Sequence, residues 1–164
     1  YLLPVDITGK NIRLGISLTE LYRELATYPV KGAYVFLDAC FSGGYKSAAP
    51  LLAQKGVRVV PKVGLPQGKT LSFSSSSGDQ TSSVYHDKKQ GYYTYFLIKT
   101  IKDARGDLSM KDLFERTSAA VKKATAMIGK MQEPQCMVSP TWFGWESLRL
   151  ETPVEPAPVA PQGE

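Results

Sequence analysis

The sequence predicts an α/β fold built on a mostly parallel sheet, and three features predict it. The run Ala33-Tyr34-Val35-Phe36-Leu37 is almost continuously apolar, as expected of a parallel strand covered on both faces. An amphipathic helix precedes it, and a strand, helix, strand connection implies parallel strands. The run then breaks off at Asp38-Ala39-Cys40-Phe41-Ser42-Gly43-Gly44, which puts a thiol at the carboxyl end of a central strand, where open α/β sheets keep their sites.

Taken in order, Tyr1-Leu2-Leu3-Pro4-Val5-Asp6 reads as a short strand with which the chain opens, without a preceding turn or helix. Ser17 and Glu20 have the spacing of a capping box, and Leu18, Leu21, Tyr22 and Leu25 recur at helical spacing until Pro29. That helix of roughly ten residues leads into a strand over residues 33–39. Residues 45–69 are basic and rich in glycine and proline, partly helical near 48–54 and otherwise a loop. Thr70-Leu71-Ser72-Phe73-Ser74 alternates like a strand and runs into the serine-rich residues 74–83, which read as a binding loop because a strand and a helix bound them inside a compact domain. Residues 92–104 are helical, with Tyr93, Leu97 and Ile101 on one face and Gly106 closing the helix. A further helix starts at Ser109, with Asp112 three residues on, and is expected to bury Leu113, Ala120, Val121, Ala124 and Ile128 before Gly129. Cys136-Met137-Val138 is the last strand. Residues 1–150 therefore form one domain, and the Pro-rich residues 151–164 an extended tail that cannot pack a core.

Composition narrows the function. With 164 residues the chain can bury one core, and no apolar run approaches the roughly 18 residues of a membrane span. The net charge of +5 is dispersed, with no basic stripe interleaved with aromatics, which argues against nucleic-acid binding. Cys40 and Cys136 are too few for a disulfide framework. Together with the lack of a signal segment they point to a reducing, cytoplasmic location.

A nucleophilic cysteine needs a base or dipole to make its thiolate, and donors aimed at the developing oxyanion. The small residues after Cys40 let a substrate carbonyl approach its main-chain N–H. A cysteine phosphatase would carry an arginine six positions after the nucleophile, and Lys46 stands there instead. Along a strand, Asp38 would project to the same side as Cys40, roughly 7 Å away, where an acid repels acidic and attracts cationic substrate groups. Its other reading is an acid that caps a neighbouring main-chain N–H.

Asp38-Ala39-Cys40-Phe41-Ser42-Gly43 resembles the nucleophile motif of caspase-like cysteine peptidases, particularly bacterial metacaspases and orthocaspases. Tyr1-Leu2-Leu3-Pro4-Val5-Asp6 resembles the strand after that family's catalytic His-Gly. The serine-rich residues 74–83 followed by Gly91-Tyr92-Tyr93-Thr94-Tyr95-Phe96-Leu97 resemble its substrate-binding strand, loop and helix. The resemblance spans about residues 1–145. It implies a three-layer sandwich with a mostly parallel sheet, incomplete in this chain, and peptide hydrolysis through a thioester on Cys40. Animal caspases have Gln-Ala-Cys at this point and cleave after aspartate, so Asp38 implies cleavage after Arg or Lys, with Asp79 as a second pocket acid and Ser74, Ser75 and Ser76 as the edge on which an extended substrate lies. The basic loop is then a candidate for autoprocessing.

The family's general base is a histidine N-terminal to the cysteine. The one histidine here, His86, follows it, in a segment that reads as an exposed turn. A companion N-terminal fragment of the same protein is therefore expected to supply the histidine, and without it the chain would expose Val35 and Leu37. Residues 11–17 hold no acidic pair, so neither calcium nor another cofactor is expected. The alternative function is a catalytically inactive caspase-like regulatory or scaffolding module.

Overall fold

The computed structural model describes residues 1–2, 9–39, 64–77 and 80–150. Among them, β1 (Ala33–Leu37), β2 (Thr70–Ser74) and β5 (Gln135–Val138) form a three-stranded sheet in the order β1-β2-β5. β1 runs parallel to β2 with Ala33 opposite Thr70 and Leu37 opposite Ser74. β2 runs antiparallel to β5, with Leu71 opposite Val138 and Phe73 opposite Cys136. A two-residue hairpin, β3 (Val84–Tyr85) and β4 (Gln90–Gly91), stands apart and leads directly into α2 (Tyr92–Asp103), followed by α3 (Met110–Ala126).

Three layers result. α1 (Leu18–Leu25) starts at Ser17, whose hydroxyl accepts the Glu20 N–H at 3.3 Å. The capping box is half made, because the Glu20 carboxylate turns outward to Arg23 at 2.5 Å. α1 lays Leu18 and Tyr22 on Leu37 and Val35, and the Tyr22 hydroxyl donates to Ser72 at 2.8 Å. The opposite face of the sheet carries Leu71 and Phe73, packed with Tyr93 of α2 and Leu113 and Val121 of α3. α3 is capped by Ser109, whose hydroxyl accepts the Asp112 N–H at 3.1 Å. Past the sheet the chain returns to this layer. The Met110 N–H donates to the Leu148 carbonyl at 2.7 Å, Arg149 pairs with Asp107, and Trp145 and Leu148 close over the core. This is the expected three-layer α/β sandwich with a mixed sheet. None of the described helices is long and apolar enough to cross a membrane.

Burial corrects several expectations. β2, not β1, is the strand buried along its whole length. Its polar positions lie on α1's side, where Ser72 bonds Tyr22, and its apolar positions on the side of α2 and α3, so its alternation separates two layers rather than core from solvent. Val35 and Leu37 are not exposed, because α1 covers them. Phe36, on the other face, is 37% exposed, with its ring edge against Phe73 at 5.5 Å. β1 ends at Leu37 rather than at Ala39. Ile128 falls beyond the end of α3 and is exposed, whereas Thr117 and Thr125 take buried positions on the helix. Leu2 pairs with Ile16 in a single antiparallel bridge. Residues 3–6 of the expected first strand, the helix near 48–54 and the tail over 151–164 lie outside the described residues, as do Cys40 and Asp79.

Leu113→Ala should cost about 2–5 kcal/mol, because it empties a fully buried site between the helices and β2. Ile128→Ala should stay within about 0.5 kcal/mol. Urea unfolding of the two variants checks both; equal losses would contradict this packing.

Candidate active site

Parallel strands end on the same side of a sheet, so the segments leaving β1 and β2 emerge together. Ser75 ties them: its N–H donates to the Leu37 carbonyl at 2.8 Å and its hydroxyl to the Ala39 carbonyl at 3.2 Å. The next residue in sequence is Cys40.

Asp38 stands at this junction with its carboxylate on the first turn of α2. Oδ2 accepts the Thr94 N–H at 3.1 Å and the Thr94 hydroxyl at 2.6 Å, while Oδ1 accepts the Ser82 hydroxyl at 2.5 Å. The N-cap of α2 is Gly91, which has no side chain to satisfy the helix's first N–H groups. Asp38 does so from another part of the chain, and the Ser83 carbonyl takes the Tyr92 N–H at 3.0 Å. A Cβ on Gly91 would run into the Asp38 carboxylate, so this approach requires glycine. Capping of a main-chain N–H, one of the two readings of Asp38, is what the carboxylate does here. The residue is nevertheless exposed, and of about four acceptor positions on a carboxylate, three are filled.

Ser74, Ser75 and Ser76 do not form an open edge. They are 2%, 0% and 1% exposed. Ser74 is paired on both sides, with Leu37 and with Gln135, and its hydroxyl donates to the Ser76 carbonyl at 3.4 Å. The Ser76 hydroxyl donates to the Gln80 carbonyl at 3.3 Å. Among the described loop residues, Ser77, Gln80 and Ser82 are half-buried and Thr81 is exposed. No periodicity or motif marks the side chain that holds the loop, Gln132. Gln132, 1% exposed, accepts the Ser83 N–H at 2.8 Å and donates to the Ser75 carbonyl at 3.0 Å.

His86 opens the exposed 3-10 turn His86–Lys88, and its carbonyl accepts the Lys89 N–H at 3.0 Å. The hairpin that carries it is fixed by Tyr85, which stacks on Tyr92 at 4.5 Å and meets the edge of Tyr95 at 5.1 Å. Cys136 is a free cysteine in β5 facing α2 and α3. Burial, with Glu146 nearby, pushes its thiol up to about 11, which leaves it a protonated apolar group rather than a nucleophile. Burial also raises the Tyr93 hydroxyl, with the negative charge of Asp38 adding to the effect. No three of His, Cys, Asp and Glu come together as metal ligands among the described residues.

Among curated proteins, no relative matches this sequence. The family model described as the caspase domain matches residues 1–141, a span that contains the described sheet, the three described α-helices and the junction around Asp38. A sheet covered by helices on both faces and a cysteine following its first described strand agree with that match: the chain belongs to the caspase domain family of cysteine peptidases.

Proposed function

We propose that the chain is the cysteine-bearing part of a metacaspase-like endopeptidase that cleaves after Arg or Lys. The observation that carries this reading is the exposed Asp38 carboxylate, two residues before Cys40, with one acceptor position left on Oδ1. A cationic P1 side chain would take that position. Asp79 would add a second acid, and Ser74, Ser75 and Ser76 would back the pocket from beneath rather than pair with substrate.

In this reading the Cys40 thiol gives its proton to a histidine base, and its sulfur attacks the scissile carbonyl carbon. The carbonyl oxygen takes the electron pair and is held by the Cys40 N–H. Collapse expels the amine, which takes the proton from the histidine and leaves a thioester; water then attacks the thioester and frees the acid. His86, exposed on its hairpin, is poorly suited as that base. It would come from a companion N-terminal fragment of the same protein, adding a strand along β1, which pairs on one side only among the described residues. The groove there is lined by Leu21, Leu25, Tyr28, Val30 and Phe36, apolar surface that such a strand would cover. The basic residues 46–69 would be the first substrate, in autoprocessing. No metal or other cofactor enters these steps.

The placement of His86 also favours a second reading, a catalytically inactive caspase-like regulatory or scaffolding module. Fluorogenic peptides ending in Arg, Lys or Asp, given to the protein together with its upstream polypeptide, separate the two. Cleavage after Arg and Lys that disappears in Cys40→Ala is expected; no cleavage overturns the peptidase reading, and preference for Asp overturns the basic specificity. Asp38→Asn keeps an oxygen for Thr94 and presents its amide to the Ser82 hydroxyl, so it removes charge without removing the cap. It should lower kcat/KM for basic peptides by about 10- to 100-fold, the worth of one hydrogen bond to a charged group, and an unchanged value would remove Asp38 from the pocket. Iodoacetamide at pH 7.5 should label Cys40 and spare Cys136. With its thiol near 11, Cys136 is less than about one part in a thousand thiolate there, and its labelling should rise only as pH approaches 11. Peptide mapping reads both sites.

A further inference from the structure

We infer that Gln132 is a positioning residue of this site, a buried amide that clamps both ends of the loop over residues 75–83 against the strand leading to Cys40; its catalytic significance rests on the peptidase reading above. One side chain closes the loop. Its Oε1 accepts the Ser83 N–H at 2.8 Å, and its Nε2 donates to the Ser75 carbonyl at 3.0 Å and lies 3.5 Å from the Ser82 hydroxyl. Both loop ends continue into the candidate site. Ser75 holds the carbonyls of Leu37 and Ala39 through its N–H and hydroxyl. Ser82 donates to Asp38, and Ser83 accepts from the first N–H of α2. The neighbouring Glu133 N–H donates to Gln80 Oε1 at 2.7 Å, which pins the middle of the loop to the same segment.

The chemistry asks for glutamine. The site offers one carbonyl and one N–H, facing each other across the loop and both shielded from water. A primary amide meets both while staying neutral. An ionised glutamate meets only the N–H, and a leucine meets neither, stranding two backbone groups where each unmade bond costs stability. A group that merely filled space would not need both ends of its amide engaged 49 and 57 residues away in sequence.

The test compares the protein, with its upstream polypeptide, to Gln132→Leu and Gln132→Glu. Amide hydrogen exchange is read residue by residue, and kcat and KM are measured on an Arg-terminated peptide. Gln132→Leu should speed exchange across 75–83 at least about tenfold with α3 unchanged, and raise KM about tenfold with a smaller fall in kcat. Gln132→Glu, which keeps the acceptor, should protect Ser83 while residues 75–77 exchange faster. Unchanged exchange in the loop, or an equal rise in α3, overturns the clamp; faster loop exchange with unchanged KM overturns its role in substrate binding. If the unsubstituted protein cleaves no basic peptide, the peptidase reading and the catalytic role fall together, and exchange alone then decides whether Gln132 is a clamp. Should Gln132→Leu not fold, Gln132→Glu carries the comparison by itself, because it loses the bond to the Ser75 carbonyl and keeps the one from the Ser83 N–H.

Discussion

A glycine cannot cap a helix with its side chain, so Gly91 leaves the first turn of α2 to be satisfied from elsewhere, and the residue that reaches it is Asp38. This contact joins three parts of the chain: the end of β1, the start of α2 and, through Ser82, the serine-rich loop. Gly91 is also what permits it, because any side chain there would occupy the carboxylate's place. The helix N-terminus carries partial positive charge, so the carboxylate suits that position both as acceptor and as anion.

The same contact limits what Asp38 can do to a substrate. Both positions on Oδ2 are taken by Thr94, so a guanidinium cannot engage the two oxygens as a fork. One further donor, at Oδ1, is what the residue can accept. The positive end of α2 offsets part of its charge as well, which weakens the pull on a cation at longer range. A single, partly compensated carboxylate is a modest selector, which gives a second acid such as Asp79 work to do in any pocket for basic side chains.

Much of the fold was legible because it is written in local patterns. Ser17 and Ser109 cap α1 and α3 as their spacing requires, and Leu18, Tyr22, Leu113 and Val121 face inward at helical period. Errors arose where a pattern has two physical meanings. An apolar run such as Ala33 to Leu37 suits a strand buried on both faces, yet β1 is only partly covered, and the alternating β2 is the buried one because its serine hydroxyls find partners inside. Ile128 continues the apolar period of α3, but the helix stops before it. The site was legible as a place and less so as an arrangement. Asp38 reads plainly beside Cys40, but its partner Thr94 lies 56 residues away, and Gln132 sits in a segment without period, cap or motif. Contacts across the chain leave no spacing to read.

The serine run itself shows how a composition can mislead. A stretch of four serines reads as polar and pliant, yet Ser74, Ser75 and Ser76 are among the most buried residues of the chain. Their hydroxyls go to the carbonyls of Ser76, Ala39 and Gln80. Two of these belong to the turning loop, and that of Ala39 lies where β1 has already ended, so none has a sheet partner to satisfy it. A larger polar side chain would not fit between the strand ends, and alanine would fit but leave those carbonyls unsatisfied. Serine is the residue small enough to be enclosed and able to donate, which makes the run the means by which the sheet ends without stranding its own backbone.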